Sequence, residues 1–464
     1  MTTTALRTEQ PALRIFERLM QGYRGNAAIR LWDNTRHALG QAAPAFTLVL
    51  RDPSLLRQLV LKPDPLLLAQ AYFDDLLDVE GDIYEVLSLK DHFSHLQLSW
   101  RDRWSLWLDA LNLPKHAVSL EADAGQNIKN HSKTSKPNGA KQHAKQQSKH
   151  HFEHQHTKAS DQAAIAFHYD VSNDFYGLWL DEARVYSCAY FSTPQDSLDQ
   201  AQRNKLEHIC RKLRLQPGHT LLDIGCGWGA LVCWATKHHG VRAHGITLSQ
   251  EQLAYAQERI QREGLQGRVT VALCDYRDVQ EAQFDRISSV GMFEHVGLAN
   301  LPQYNAQVHR LLKPGGLFLN HGITHDEEGW HRSVATEFIN RYVFPDGELD
   351  CVSNISLGME RAGFEIVDIE ALRPHYALTL RHWVTRLEAQ REQAMALVGE
   401  RTYRVWRLYM AACALEFEAG GTGLHQILAA KPDHGAWPVP LTRQDLYDRD
   451  TSAVDNPELS LLLP

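Results

Sequence analysis

The chain has 464 residues, of which 44% are hydrophobic, so it is long enough for two or three domains with real cores. Its formal net charge of -8 argues against a general nucleic-acid-binding protein, and no apolar run reaches the ~18 residues of a membrane-spanning helix. The seven cysteines form no C-x-x-C pair and the first ten residues hold no apolar signal core, which indicates a cytoplasmic protein with reduced thiols and no metal site.

Residues 1–120 are predicted to form a first, smaller domain. Phe46–Leu50 has the pattern of a strand, and the segment before Leu113 has that of a helix. Three tryptophans recur on one face of this helix at i, i+4 and i+7 spacing: Trp100, Trp104 and Trp107. We expect this stripe to lie in the core, with a belt at a membrane interface as the alternative.

From Glu121 to Gln162 the composition changes to Lys, His, Gln, Asn and Ser, with almost nothing apolar to bury. Such a segment cannot offset the entropy cost of ordering, so we predict a disordered linker over residues 121–162. The histidines between His150 and His156 have no thiolate beside them and are not expected to hold a metal. The lysines allow a weak attraction to an anionic membrane surface.

The most informative stretch is a glycine loop between an apolar strand and a helix. It runs from Asp223 to Gly229 as Asp-Ile-Gly-Cys-Gly-Trp-Gly, and its glycines permit positive φ and close approach of a ligand. The helix that follows directs free N–H groups toward that ligand. The G-x-G-x-G spacing differs from the G-x-G-x-x-G dinucleotide fingerprint and favours S-adenosylmethionine; a glycine turn without a ligand is the alternative.

Strands and helices alternate through residues 163–430, which predicts a parallel α/β sheet. The expected strands are 220–224, 242–247, 269–274, 284–290 and 316–320. Right-handed crossovers place a ligand beyond the carboxyl ends of these strands, where Thr247 to Gln252, Asp275 to Asp278 and Gly291 to Gly297 lie. Residues 431–464 lose periodicity and are expected to form a loose C-terminal tail.

Five motifs follow one another along the chain: Tyr186 to Tyr190, the glycine loop, Asp275 to Asp278, Val290 to Gly297 and Phe344 to Gly347. With them the chain resembles the cyclopropane-fatty-acyl-phospholipid synthase family over roughly residues 163–430, and more loosely over the first domain. The resemblance implies an α/β fold, a Rossmann-like class I methyltransferase sheet with C-terminal helical additions, plus a smaller α+β N-terminal domain.

The resemblance also implies which residues form the site. The cofactor contacts fall on Tyr186, Ser187, Asp223, Gly225, Cys226, Gly227, Gly229, Thr247, Gln252, Tyr276 and Arg277. A bicarbonate ion beside the acyl chain is implied to bind Cys188, Glu294, His321, Ile323 and Tyr376. A catalytic part is implied for Cys413, although its apolar helix favours a buried structural thiol. Gly322 stands where the family often has threonine.

Each of these assignments has a structural alternative. Glu294 with the adjacent histidine would also serve as a helix-capping pair. His321 would also be an ordinary histidine at a strand end, Tyr376 a surface tyrosine and Cys188 a small packing residue.

The implied activity is transfer of a methylene from S-adenosylmethionine to the cis double bond of unsaturated phospholipid acyl chains. The π bond is a poor nucleophile and its carbocation is trapped by water, so the pocket must be dry and aromatic. Its candidate walls are Tyr169, Phe175, Tyr176, Trp179, Tyr190 and Phe293. The implied partner is membrane phospholipid at the inner face of the membrane, with the first domain engaging the bilayer or a second copy of the chain as a homodimer. The alternatives are a related methyltransferase giving a branched chain and an inactive lipid-binding protein of the same fold.

Overall fold

The computed structural model describes residues 5–115, 156–158, 160–161, 172–280, 283–329, 333–344 and 347–447. Most of the predicted linker lies outside the described residues, as does Tyr169. The chain divides into two compact units, one of Met1–Lys145 with Glu392–Ala412 and one of Gln146–Arg391 with Cys413–Pro464. None of the described helices is long and apolar enough to cross a membrane.

The first unit contains the predicted smaller α+β fold. Its strands are β1 Ala27–Arg30, β2 Arg36–Leu39, β3 Phe46–Leu50 and β4 Leu77–Gly81. They pair in the order β2-β1-β3-β4, with β1 and β3 parallel and the other pairs antiparallel. Its helices before residue 115 are Ala5–Leu19, Pro53–Leu61, Pro65–Phe73, Ile83–Leu87, Leu89–His95 and Trp100–Leu111.

The helix Trp100–Leu111 turns its tryptophans away from the core, so the expectation of a core stripe is wrong. Its buried residues are Leu106, Asp109 and Ala110. Asp109 accepts a hydrogen bond at 2.7 Å from Arg18 of the first helix, which fixes the face that packs inward. Trp100, Trp104 and Trp107 are left 69%, 59% and 45% exposed, respectively. Periodicity placed the three rings on one face correctly, but ion pairing decided that this face is the outer one.

Glu392–Ala412 clusters with the first unit, although the sequence places this segment in the 163–430 domain. Its Arg404 is 1% exposed, and Nη2 lies 2.6 Å from Oδ1 of Asp75 while Nη1 lies 3.1 Å from Oδ1 of Asp78. A buried guanidinium needs such partners to offset its desolvation. The helix Arg391–Ala419 is interrupted at Gly399, where φ is 79°.

The second unit is built on a seven-stranded sheet in the order β10-β11-β9-β8-β5-β6-β7. Its strands are β5 Thr220–Ile224, β6 Arg242–Thr247, β7 Val269–Leu273, β8 Phe284–Val290, β9 Leu312–His325, β10 Glu365–Ala371 and β11 Thr422–Ala430. Strand β11 runs antiparallel to both neighbours, and the remaining pairs are parallel. The predicted parallel α/β sheet is therefore confirmed, extended by β10 and β11, which the sequence analysis missed.

Helices cover both faces of this sheet. They are Asn173–Trp179, Leu198–Lys212, Ala230–His239, Gln250–Arg262, Leu301–Leu311, Val334–Tyr342, Val352–Arg361, Arg373–Ala389 and Gln444–Tyr447, with short 3₁₀ turns at Tyr276–Asp278, Phe293–His295 and Leu298–Asn300. Consecutive residues of β5 serve opposite layers, because Leu221 belongs to one buried cluster and Leu222 to the other. This two-sided burial explains why β5 is apolar without alternation.

The predicted loose tail is held to the second unit at its beginning. Leu446 is 4% exposed, Arg443 pairs with Asp368 at 3.2 Å, and Asp445 pairs with Arg214 at 3.1 Å. The expectation of a loose tail therefore fails for residues 443–447, because ion pairs substitute for the missing apolar periodicity. Residues 448–464 lie outside the described part of the chain.

Candidate functional site

The glycine loop is shaped by backbone geometry that other residues rarely adopt. Gly225 and Gly227 have φ of 81° and 54°, in the left-handed region. The N–H groups of Gly225 and Cys226 both donate to the carbonyl oxygen of Ile246, at 3.0 and 2.9 Å, which ties the loop to the end of β6. A Cβ on Gly227 would meet no atom within 4 Å, so this part of the loop borders open space.

That open space is a cavity at the carboxyl ends of β5, β6 and β8. Nine of the eleven predicted cofactor-binding residues line it: Tyr186, Ser187, Asp223, Gly225, Cys226, Gly227, Thr247, Gln252 and Tyr276. The two others lie off the cavity wall. Gly229 begins the helix Ala230–His239 with φ of 80°, and Arg277 is bound by Asp275 at 2.7 Å and Asp161 at 2.8 Å. For these two residues the cofactor contact stays a prediction, since the cavity lining does not include them.

Polar groups that suit a ribose or an amine lie beyond the carboxyl ends of β6 and β7. Thr247 donates its hydroxyl to Oε1 of Gln252 at 2.7 Å, and both side chains are buried. This bond fixes the Gln252 amide and leaves its NH₂ group as a donor. The Tyr276 hydroxyl is buried without a partner among the described residues, and burial raises its pKa to about 12, so it stays protonated.

The sequence analysis missed several residues of this wall. Lys205, Trp228 and His295 line the same cavity. Burial lowers the pKa of His295 to about 4, so its imidazole is neutral near pH 7. A detectable signal existed for Lys205: the helix Leu198–Lys212 carries polar residues at helical spacing on its buried face, namely Gln202, Lys205, His208 and Lys212. A polar row on an inward face points to a site or an ion-pair network.

The Glu294 side chain is hydrogen-bonded to the backbone of strand β9. Its Oε1 accepts the N–H of Ile323 at 2.8 Å, so two residues of the implied bicarbonate set are in direct contact. Its Oε2 is buried without a hydrogen-bond partner among the described residues. Burial raises the pKa of this carboxyl to about 7, with the Ile323 N–H opposing the rise. Because the residue precedes no long helix and faces a strand, the capping alternative fails.

His321 lies inside β9, which runs five residues beyond the predicted strand end. It is 1% exposed, and Gln426 of β11 donates its amide N–H to Nδ1 at 3.0 Å. The ring proton is then on Nε2, which is buried with no partner in the described part of the chain. Burial lowers the pKa of His321 well below its usual value, and Lys205 and Lys212 add to the shift. The His321 side chain is therefore neutral, and its Nε2–H group is a hydrogen-bond donor with no acceptor among the described residues.

Tyr376 is a buried side chain of the second unit. It is 8% exposed, so the surface alternative for Tyr376 fails. Burial raises its pKa well above the usual value, and Tyr186, Cys188, Glu294 and Cys413 add to the rise. Its ring centroid lies 6.0 Å from that of Trp383, which in turn lies 5.2 Å from the Tyr186 ring of the cavity wall.

The two cysteines are both protonated at neutral pH. Cys188 is fully buried and its Sγ–H donates to the carbonyl oxygen of Ala189 at 3.2 Å, while burial raises its pKa far above the usual range. Burial raises the pKa of Cys413 to about 12, and Glu416 adds to the rise. Neither sulfur is a ready thiolate nucleophile, which agrees with the structural interpretation of both.

A group of packed aromatic rings extends from the cavity wall to Tyr376. Tyr176 lies 5.0 Å from Trp228, Tyr186 lies 5.2 Å from Trp383, and Trp383 lies 6.0 Å from Tyr376, between ring centroids. Two other candidate walls, Phe175 and Trp179, pack in the same group. Tyr190 instead stacks on His208 at 4.2 Å and on His375 at 4.9 Å, outside this cluster.

Gly322 makes room for the remaining candidate wall, Phe293. A Cβ at Gly322 would overlap the Phe293 ring, so the glycine admits an aromatic side chain against β9. The residue lies within a paired strand, opposite His425 of β11, and not in a turn. The glycine therefore does not loosen this segment and leaves His321 and Ile323 in register.

No group of three or more metal-ligating side chains occurs among the residues that the structure describes. The histidine run of the predicted linker lies mostly outside them.

Comparison with known proteins agrees with this geometry. A sequence model of the family described as mycolic acid cyclopropane synthetase matches residues 156–427. A probable fatty acid methyltransferase of Pseudomonas putida is 43% identical over 423 residues, covering 90% of this chain and 95% of that protein. The cyclopropane-fatty-acyl-phospholipid synthase of Escherichia coli K12 is 42% identical over 264 residues, covering 57% of this chain and 66% of that protein.

A solved structure agrees as well. Mycolic acid cyclopropane synthase CmaA1, complexed with SAH and CTAB, superposes with a TM-score of 0.55 at 34% identity, covering 58% of this chain and 98% of that one. The predicted class I methyltransferase fold is thereby confirmed. The family model matches more than half of the chain, which shows that the chain belongs to the mycolic acid cyclopropane synthetase family.

Proposed function

We propose that this protein transfers a methylene from S-adenosylmethionine to the cis double bond of unsaturated phospholipid acyl chains, forming a cyclopropane ring. The observation that carries the proposal is the pair of buried, unpartnered polar atoms, Oε2 of Glu294 and Nε2 of His321, in the unit that holds the glycine-loop cavity. Buried polar atoms normally have partners, so an absent partner at such atoms indicates a ligand.

The cavity suits S-adenosylmethionine, which supplies an electrophilic methyl group when bound. Tyr276, Gln252 and the loop N–H groups offer polar contacts, and Asp223 offers a carboxylate. Trp228 and Tyr186 place aromatic rings on the cavity wall, and Trp383 packs against Tyr186. Aromatic faces stabilise the positive charge that develops on an alkylated double bond.

The second half suits bicarbonate, a small anion that supplies a base when bound. His321 presents an N–H donor from Nε2, and Oε2 of Glu294 accepts the hydrogen bond of the bicarbonate hydroxyl. The Tyr376 hydroxyl remains protonated and is able to donate. Cys188 and Ile323 complete the proposed set. The Cys188 sulfur lies 3.9 Å from the carbonyl oxygen of Leu372, which begins the helix that carries Tyr376, and the Ile323 N–H orients Glu294.

The acyl substrate is proposed from the apolar character of this region and from relatives. The Pseudomonas putida relative is named a probable fatty acid methyltransferase, and the Escherichia coli relative acts, by its name, on fatty-acyl phospholipids. A free fatty acid and a phospholipid acyl chain present the same double bond. We commit to the phospholipid because the first unit exposes a face suited to a lipid surface.

That face consists of Trp100, Trp104 and Trp107, and we name it the tryptophan face. Its rings project from a helix that also carries Arg101, whose guanidinium lies 5.4 Å from the Trp100 ring centroid. Tryptophan and arginine are enriched where proteins meet lipid headgroups. The sequence that follows, from Lys129 to Lys149, contains six lysines and no acidic residue, which favours an anionic surface. Peripheral attachment through the tryptophan face is accordingly part of the proposal.

The test is an assay with unilamellar vesicles of cis-unsaturated phospholipid, S-adenosylmethionine and bicarbonate. We expect S-adenosylhomocysteine to accumulate together with a lipid that is one CH₂ heavier. Catalytic hydrogenation under mild conditions distinguishes a ring, which resists, from a methylene branch, which is saturated; a saturated methyl branch is two hydrogens heavier from the start. Absence of turnover with vesicles and with dispersed unsaturated fatty acid alike would contradict the proposal, and turnover with the free acid alone would replace the phospholipid by that acid.

A further inference from the structure

Lys205 is a buried cation in the wall of the cofactor cavity. It is 2% exposed, and its Nζ donates to Oγ of Ser187 at 2.7 Å. Within the described residues, no carboxylate oxygen lies within 4.0 Å of this Nζ. A buried ammonium without an anionic partner is costly. Burial lowers its pKa to about 8, while Asp181 and Asp223 favour the charged form from a distance.

Asp223 is the anionic counterpart in the same cavity. It is 3% exposed and its Oδ1 accepts the hydroxyl of Ser288 at 2.7 Å, and no basic side chain of the described residues reaches within 4.0 Å. Burial raises its pKa to about 6, and Lys205 opposes the rise. The two charges influence each other without pairing. The cavity therefore presents one cation and one anion, the pattern that complements a zwitterion.

A second lysine on the same helix shows how a structural lysine is accommodated. Lys212 is fully buried, and its Nζ lies 2.5 Å from Oε2 of Glu370 and 3.5 Å from Oδ2 of Asp368. Lys205 has the same burial but faces the cavity. The difference indicates that the charge of Lys205 is balanced by a ligand in the cavity and not by a carboxylate side chain.

We propose that Lys205 is the residue that selects the α-carboxylate of S-adenosylmethionine, acting through Ser187, while Asp223 receives the α-ammonium group. Ser187 accepts a hydrogen bond from Lys205, so its own O–H remains free to donate to a carboxylate. A serine hydroxyl polarised by a cation is a stronger donor than an isolated one. Ser187 touches the ligand and Lys205 is a positioning residue behind it. This assignment depends on the proposed function, since it names how that cofactor is read.

The experiment is calorimetric titration with two ligands, S-adenosylhomocysteine and its decarboxylated analogue 5′-(3-aminopropylthio)-5′-deoxyadenosine. The variant Lys205→Met removes the charge and nearly keeps the volume. We expect it to weaken S-adenosylhomocysteine roughly 10- to 100-fold, as for a hydrogen bond to a charged group, and to leave the analogue within about twofold. Asp223→Asn should weaken both ligands, because both keep the amine.

Lys212→Met is the matched control, and it should leave the ratio of the two affinities unchanged even if it lowers stability. Where Lys205→Met fails to fold, Ser187→Ala replaces it and should show the same selective loss. Equal weakening of both ligands, or no weakening of either, would overturn the assignment to the carboxylate. Failure of the unmodified protein to bind S-adenosylhomocysteine would instead overturn the proposed cofactor, and the assignment with it.

Discussion

Two sets of three tryptophans occupy opposite surroundings in this chain. Trp179, Trp228 and Trp383 of the second unit are at most 2% exposed and pack edge to face or tilted with tyrosines beside the cofactor cavity. Trp100, Trp104 and Trp107 of the first unit are 69%, 59% and 45% exposed. The same residue type is therefore buried beside the cavity in one unit and exposed in the other. What separates the two sets is the neighbouring polar chemistry, not the local spacing.

The variant Glu294→Ala should give the largest difference between the functions proposed for the two regions, turnover and membrane binding. We expect turnover to fall about 10²- to 10⁴-fold, because the acceptor that orients the base is lost. Affinity for S-adenosylhomocysteine and for vesicles should stay within about twofold, since Glu294 lies off both the cavity wall and the tryptophan face. Steady-state turnover and vesicle sedimentation measure the two effects. Full activity of Glu294→Ala would contradict the role proposed for Glu294. The variant Glu258→Ala, at an exposed position, is the control.

The buried and the exposed tryptophans should also differ in how much they contribute to the free energy of unfolding. Trp383→Ala should lower the free energy of unfolding by about 3–5 kcal/mol, because a fully buried indole leaves a cavity. Trp104→Ala should change it by at most about 0.5 kcal/mol, as is usual for exposed positions. Urea denaturation of both variants gives the comparison. Similar losses would show that the tryptophan face is covered in solution.

Titration of the buried Glu294 carboxyl should make the free energy of unfolding depend on pH. Burial raises the pKa of Glu294 from the ordinary 4.5 to about 7. Folding is therefore favoured by its protonated form: this contribution is complete below pH 4.5, decreases as the unfolded chain ionises, and is lost above about pH 7. The loss amounts to roughly 3 kcal/mol.

The measurement is urea denaturation at pH 5 and pH 8, with Glu294→Gln as the variant that cannot ionise. The unmodified protein should lose roughly 3 kcal/mol relative to this variant between the two pH values. Parallel behaviour of the two proteins would show that Glu294 is ionised throughout, with a partner supplying the missing charge.

The smallest expected effect concerns the exposed set. Trp104→Ser should weaken binding to vesicles of anionic phospholipid roughly tenfold, since each ring is expected to bury about 60 Å² of apolar surface in the lipid interface. Turnover with detergent-dispersed substrate should be unchanged. Leu441→Ser is the matched control, because Leu441 is an apolar side chain of the second unit that is 97% exposed. Equal binding of all three proteins would remove that face from the proposed membrane contact.

Sequence patterns were sufficient for the catalytic sheet and for most of the cavity wall. Strands β5, β6 and β8 were predicted to the residue, because apolar runs bounded by glycine and polar turns have few competing structures. The glycine loop predicted the position of the cavity for the same reason. Seven residues of the wall belong to that loop or follow the ends of the adjacent strands, whereas Tyr186 and Ser187 were implied only by the family resemblance.

The failures have a common physical cause, which is contact between residues that lie far apart in the sequence. Lys205 was overlooked because a lysine on an amphipathic helix is ordinarily solvated, and its burial depends on a distant cavity. The outward turn of Trp104 depends on the pairing of Asp109 with Arg18, ninety-one residues earlier. Arg404 likewise joins the first unit through Asp75 and Asp78, more than three hundred residues away. Local periodicity contains none of these pairings.

The glycine at position 322 sets how closely an aromatic ring approaches the backbone of strand β9. Because no methyl group stands there, the Phe293 ring occupies the volume beside β9 that a threonine side chain would fill. Exchanging Gly322 for threonine would displace that ring. Phe293 precedes Glu294 in the chain, so the size of residue 322 and the placement of the Glu294 carboxyl are coupled through a single peptide bond.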